Sequence, residues 1–147
     1  MLQADKFFLR PLHESDLPHV NCILQQLSTF KPSDSTMSAA FDKLSKIDHY
    51  ACVCVSPEGK VVGVGFVYYL LKIRGGLVGK IEDLAVSTEY HRNGLGTKII
   101  EHLVSVALSY GCYAVSLDCK PSTKSFYLDR GFEEFGLTMR YRTILSC

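Results

Sequence analysis

Apolar residues along the chain gather into short β-rich runs in some stretches and fall at a helical period in others, and the switches mark its elements. Residues 7–12 form a first strand, stopped by Pro11. Ser15 or Asp16 caps a helix with Pro18 near its first turn and Val20, Ile23, Leu24 and Leu27 at helical spacing. Residues 28–32 break that helix, and a second one from Ser33 or Asp34 turns Met37, Ala40, Phe41 and Leu44 inward. Two β-rich runs, 50–55 and 61–71, flank the turn Ser56-Pro57-Glu58-Gly59, which is compatible with a hairpin. A glycine-rich, basic connection over 72–79, carrying Lys72 and Arg74, leads into a strand at 80–86. Ile99, Ile100, Leu103, Val104, Ala107 and Leu108 then make an apolar helix that Gly111 ends. A strand at 113–119, a short helix at 122–129 ended by Gly131, and a last strand at 138–145 complete the pattern.

Hairpins early and helical crossovers later imply an α/β fold with a mixed, mostly antiparallel sheet flanked by helices. At 147 residues, without repeats or low-complexity segments, the chain is expected to be one domain, 1–147. A net charge of +1 with no long run of either sign argues against a nucleic-acid partner or a membrane surface. No apolar run approaches the roughly 20 residues of a bilayer span. The opening residues lack an export signal, so a cytoplasmic location is expected. In that compartment the six cysteines read as reduced and mostly buried, with Cys52 and Cys54 on one strand face. There is no C-x-x-C and no His-Cys cluster with zinc spacing, so no metal is expected.

The densest chemistry lies at 80–97, KIEDLAVSTEYHRNGLGT. Glu82 and Asp83 interrupt its strand, and regular alternation would send one of them inward or toward a ligand. The polar turn His91-Arg92-Asn93-Gly94-Leu95-Gly96 then opens the long helix. Glycines at a helix start let the backbone approach an anion, with free N–H groups and the dipole favouring it, and Arg92 adds a full charge. Ile99 stands where G-x-G-x-x-G needs a glycine, and no GK[ST] ending follows, so neither a dinucleotide nor a triphosphate loop fits.

Strand, then [QR]-x-x-G-x-G, then helix resembles the pyrophosphate signature of the GNAT superfamily of acyl-CoA-dependent N-acyltransferases. IEDLAV at 81–86, Tyr110-Gly111-Cys112-Tyr113, Leu117-Asp118-Cys119, Phe126-Tyr127 and Gly131-Phe132 look like the glucosamine-6-phosphate N-acetyltransferase family in order and spacing. The resemblance spans Arg10 to Arg142; His91 departs from the superfamily's Gln or Arg, and Thr123 from a usual Asn. It implies the GNAT fold, whose key strand bulges and splays from its neighbour. It also implies transfer of an acetyl group from acetyl-CoA to the amine of glucosamine 6-phosphate, on the way to UDP-N-acetylglucosamine. Cofactor contacts would come from Leu84, Ala85, Val86, Arg92, Asn93, Gly94, Leu95, Gly96, Thr97, Thr123 and Tyr127. Substrate contacts would come from Ser28, Thr29, Glu82, Asp83, Leu84, Tyr113, Asp118 and Arg142. Asp118 and Glu82 are the candidate bases, and Tyr127 the proton donor to the leaving thiolate. A homodimer is implied too, with the last strand crossing to the partner and Arg142 reaching the substrate phosphate there.

The residues alone leave plainer alternatives. Tyr127 reads first as a core aromatic beside Phe126, each acid alternatively as a strand-bonding group, and Ser28 or Thr29 equally as a hydroxyl bonding its own backbone. Arg140 and Arg142 share parity on the last strand, as in a charged edge. A covalent route through Cys119 is disfavoured, because the adjacent Asp118 opposes thiolate formation. An acetyltransferase of another small amine or peptide N-terminus, or a silent acyl-CoA-binding module, stands beside the leading function.

Overall fold

The computed structural model describes residues 4–143. It divides into two compact units, Met1–Leu117 and Asp118–Cys147.

The first unit is built on a five-stranded sheet in the order β1-β2-β3-β4-β5. Its strands are β1 (Phe8–Pro11), β2 (His49–Val55), β3 (Val61–Leu71), β4 (Leu77–Val86) and β5 (Cys112–Ser116). Neighbours from β1 to β4 run antiparallel, and β5 joins parallel to β4 through the crossover helix α3 (Leu95–Tyr110). The expected mixed, mostly antiparallel sheet is there. Between β1 and β2 lie α1 (Leu17–Leu24) and α2 (Asp34–Leu44), the latter capped by Ser33, whose hydroxyl accepts from Thr36 N at 3.2 Å.

Several boundaries differ from the sequence reading. Asp16 stands at the N-cap of α1, as expected, but its side chain makes no cap hydrogen bond there. Its buried carboxylate closes the preceding turn, accepting from His13 N at 2.8 Å and from both Arg10 terminal nitrogens at 2.8 and 2.9 Å. Those Arg10 hydrogen bonds hold its pKa below the ordinary carboxylate value. Leu27 falls beyond the end of α1, and it, Ala40 and Leu108 are exposed rather than inward. The connection expected at 72–79 is shorter, a tight turn in which Lys72 N donates to Gly76 O at 2.7 Å and Gly75 N to Lys72 O at 2.8 Å. β4 therefore begins at Leu77.

One sheet face packs α1, with Val20 and Ile23 against Ala51, Val53, Val64 and Phe66. The other receives Ile99, Ile100, Leu103 and Ala107 of α3, all at most 1% exposed. Cys52 and Cys54 are fully buried there, and burial pushes their thiols up to about 12 and about 11, so they remain protonated. Cys112 is buried as well, whereas Cys22 and Cys119 are exposed, so three of the five described thiols are buried, in line with the expectation for most of them. Glycine lets α3 lie this close. A Cβ on Gly65 would stand 2.8 Å from Ile99 Cγ2 and 2.9 Å from Leu103 Cδ1. Gly65→Ala is therefore expected to destabilise by about 1–3 kcal/mol, the usual range for overpacking a filled core. Urea denaturation reads this as a lower midpoint.

The second unit holds a short turn at Pro121–Thr123 and the helix α4 (Lys124–Leu128). Edge-on ring contacts join Tyr127 to Phe126 and Phe132, with centroids 5.1 and 5.8 Å apart. Arg130 stacks 3.5 Å from the Phe126 ring centre. Described residues 138–143 of the expected last strand carry no strand assignment, and residues 144–145 lie outside the described chain, as does Cys147. A strand is stable through its ladder, and 132–143 has none here. The alternation itself survives: Phe135, Leu137, Met139 and Tyr141 are 87–93% exposed, with Thr138, Arg140 and Arg142 between or beyond them.

Candidate active site

The end of β4 departs from a regular strand. Val64 pairs with Ala85 and Phe66 with Glu82, so three steps on β4 oppose two on β3, and a bulge falls at Asp83 and Leu84. Asp83 takes a left-handed backbone, φ 51°, a region that costs a residue with a Cβ roughly 1–2 kcal/mol but suits Asp better than most. The bulge resets alternation, so neither acid turns into the core; Glu82 and Asp83 are both exposed. Desolvation nevertheless raises the Asp83 pKa, because protein surrounds the carboxyl even though the residue keeps solvent access. Tyr68 faces the same two acids: its pKa is raised by burial, then by the charges of Asp83 and Glu82. The sequence reading missed Tyr68, although it shares parity with Phe66 on β3, and their rings stack at 6.3 Å.

β5 leaves β4 at the same end. Their pairing runs from Leu77 with Cys112 to Lys80 with Ser116, so β4 beyond Lys80 has no β5 ladder partner. The strand expected at 113–119 accordingly stops at Ser116. Bulge and splay appear together, as the resemblance implies. Ala85 is buried, while Leu84 and Val86 are half-buried.

The turn after β4 is held by its own side chains. His91 Nε2 lies 2.7 Å from Val86 O, and Asn93 Nδ2 donates to Tyr90 O at 3.0 Å. Arg92 and Gly94 both take left-handed backbone, φ 67° and 74°, and reverse the chain into α3. Leu95 is buried and anchors the helix, while Gly94, at its cap, offers no side chain. A helix leaves its first amides without intrahelical acceptors, so a helix start of this kind, with the exposed Arg92 beside it, could hold an anion at 94–97. Asn93 and Leu95 can contribute through their backbone, their side chains being used within the turn and the core.

Ser28 and Thr29 are exposed in the loop after α1, where Ser28 Oγ accepts from Phe30 N at 3.1 Å. Asn21 and Gln25 donate to the carbonyls of Pro32 and Phe30, tying that loop to α1. Tyr113 lies against Gly76, where a Cβ would fall 2.5 Å from its ring. Strand rise puts that point about 20 Å along β4 from the bulge, so the structure does not bring Tyr113 to Leu84 within this unit.

In the second unit Asp118 is exposed, not buried at a strand end, and accepts from Thr138 Oγ1 at 2.7 Å. Thr123 Oγ1 donates to Lys120 O at 3.1 Å, closing the turn before α4. Tyr127 is half-buried, and burial, then the nearby Cys119, raises its pKa. Its phenol stays protonated at neutral pH and can donate. Arg140 and Arg142 are exposed, outside any strand, so the shared strand face expected for them is not formed. No group of His, Cys, Asp and Glu suited to a metal occurs among the described residues, and no helix among them is long and apolar enough to cross a membrane.

Residues 20–132 match the model of the acetyltransferase (GNAT) family. A probable glucosamine 6-phosphate N-acetyltransferase 2 of Oryza sativa subsp. japonica is 34% identical over 80% of this chain and 75% of its own length. A glucosamine 6-phosphate N-acetyltransferase of Trypanosoma brucei brucei is 35% identical over 90% of this chain and 92% of its own. The chain belongs to the GNAT acetyltransferases, in their glucosamine 6-phosphate N-acetyltransferase family. The crystal structure of the Arabidopsis thaliana glucosamine-6-phosphate N-acetyltransferase superposes with a TM-score of 0.86 at 30% identity, over 92% of this chain and 97% of that one. The fold expected from the sequence is thus the GNAT fold. GNAT acetyltransferases use acetyl-CoA.

Proposed function

We propose that this protein transfers the acetyl group of acetyl-CoA directly to the 2-amino group of D-glucosamine 6-phosphate, releasing CoA and N-acetyl-D-glucosamine 6-phosphate. The product serves UDP-N-acetylglucosamine synthesis, and the chain, 1–147, works as one cytoplasmic catalytic domain. The observation that carries the reading is the bulge at Asp83 and Leu84 coinciding with the splay of β5, immediately before the glycine turn. Together they free backbone donors along one strand edge and end them at a helix N-terminus.

The reaction needs a neutral amine, a stabilised oxyanion and a protonated leaving group. Asp118 or Glu82 takes the ammonium proton, and the amine nitrogen attacks the thioester carbonyl carbon. Backbone N–H groups at Leu84 and Val86 receive the carbonyl oxygen as it gains charge and align the pantetheine arm, and Ala85 between them packs beside it. The C–S bond then breaks, Tyr127 protonates the departing thiolate, and the second proton, shed by the attacking nitrogen as the amide forms, restores the phenol through solvent. Amides of 94–97 with Arg92 hold the pyrophosphate, and Thr123 lies along the coenzyme. Asp83 contacts the sugar, and Ser28 or Thr29 its phosphate. Thiol release from acetyl-CoA, measured with a panel of amines, tests this: glucosamine 6-phosphate should be the best acceptor. A better substrate among other amines or peptides would replace that assignment, and acetyl-CoA binding without release on any amine would make the protein a silent binding module.

The active species in this reading is a homodimer. Four apolar residues at alternate positions, 135 to 141, lie almost fully exposed in the single chain. Such a stripe calls for cover, and a strand-like segment gains its ladder from a second copy. Arg142, at the end of that stripe, would hold the substrate phosphate across the interface, where a charge-assisted contact contributes about 1.5–3 kcal/mol. Arg142→Ala should raise KM for glucosamine 6-phosphate about 10- to 100-fold with acetyl-CoA affinity nearly unchanged. Mixing it with Asp118→Asn subunits should restore one hybrid site; confirmed subunit exchange without recovery would remove Arg142 from the trans role.

A further inference from the structure

The turn that opens α3 is joined to the splayed end of β4 through one atom, the carbonyl oxygen of Val86. His91 Nε2 lies 2.7 Å from it and Gln26 Nε2 3.0 Å. Ser87 N donates to Val62 O on β3 at 2.8 Å. In a trans peptide the C=O and N–H point opposite ways, so the Val86 carbonyl points away from β3. That is the side from which β5 has departed. In a regular sheet the next strand would supply the donor; here two side chains do. A carbonyl accepts two hydrogen bonds, and these two donors saturate it. The carbonyl only accepts, so His91 carries its proton on Nε2. Gln26 spends its other amide hydrogen on Ile23 O at 3.0 Å, which ties it to the end of α1.

We propose that His91 and Gln26 are positioning residues for acetyl-CoA, acting through Val86. The inference rests on the functional reading above, in which the open edge of β4 and the 94–97 amides hold the coenzyme. On a strand the N–H and C=O of one residue face the same side, so fixing the Val86 carbonyl also aims the Val86 N–H into the open edge. The same His91 bond ties the start of the turn back to β4, just before the left-handed Arg92. Strand edge and pyrophosphate turn are thereby held in one register, spanning both ends of the pantetheine–pyrophosphate unit. Gln26 joins this register to the segment that carries Ser28 and Thr29. Neither side chain touches the reacting atoms.

Side-chain reach supplies the test. The Gln amide nitrogen is as many bonds from Cα as His Nε2, whereas the Asn amide nitrogen matches Nδ1 and falls short. His91→Gln should therefore keep acetyl-CoA affinity within about twofold. His91→Asn should weaken it about 3- to 10-fold, the range for one lost hydrogen bond. Gln26→Met keeps length without a donor and should also weaken acetyl-CoA binding, although Gln26 lies outside the turn. Calorimetry gives the affinities, steady-state kinetics should show KM for acetyl-CoA rising with kcat within about twofold, and thermal melting confirms folded variants. Equal affinity of His91→Asn and the unmutated protein, or equal losses in His91→Asn and His91→Gln, would overturn the role of His91. Unchanged affinity in Gln26→Met would overturn that of Gln26. If the unmutated protein itself does not bind acetyl-CoA, the functional reading fails instead.

Discussion

Gly96→Val is expected to abolish measurable acetyl-CoA binding while leaving a folded protein. Gly96 is the second residue of α3 and half-buried. The helix hydrogen bonds that follow it, beginning with Lys98 N to Gly94 O at 3.1 Å, do not involve its side chain. A valine there costs little in helix propensity, because glycine is itself poor in a helix. What it changes is access. A branched side chain at the first turn keeps a pyrophosphate several ångströms from the amides that would bind it, and the favourable end of the helix dipole falls off over the same distance. Loss of several charge-assisted hydrogen bonds corresponds to roughly a thousandfold or more in affinity. Calorimetry with acetyl-CoA, alongside a melting curve to confirm folding, makes the comparison. Unchanged affinity in a folded Gly96→Val protein would place the coenzyme elsewhere.

The second large effect is expected at Tyr127. Tyr127→Phe keeps the ring that packs edge-on against Phe126 and Phe132 and deletes the hydroxyl alone. Stability should change little. If the phenol protonates the departing CoA thiolate, kcat should fall about 10- to 1,000-fold, the span for losing one positioned proton donor. Burial raises the Tyr127 pKa, so the donating form persists across the neutral range and is depleted only at alkaline pH. Cys119, the exposed thiol that also bears on Tyr127, gives a companion test. Cys119→Ser should retain most activity under direct transfer. An acetyl group trapped on Cys119 during turnover would reverse that assignment, and full kcat in Tyr127→Phe would remove the phenol from the chemistry.

The chain's order of hydrophobic periods determined much by itself. The continuous β-rich runs of β2 and β3, the helical spacing of Ile99, Ile100, Leu103 and Ala107, and the stops at Gly94 and Gly111 are local properties, and their elements stand close to where the pattern puts them. The glycine turn was legible for the same reason: left-handed backbone and close approach both demand that residue type in place. Tertiary structure decided the rest. The bulge at Asp83 and Leu84 arises from register against β3, which no stretch of β4 encodes alone, and it sends both acids to the surface where alternation would have buried one. β5 ends at Ser116 because it diverges from β4, and Asp118 is left on an exposed segment rather than at a buried strand end. Tyr68 meets the acids from β3, and His91 turns back to Val86 O, through contacts between residues distant from or reversed along the chain. The last strand shows the limit most plainly. Its apolar alternation is in the sequence, but a β-ladder belongs to two segments, and the described residues 132–143 carry no strand assignment.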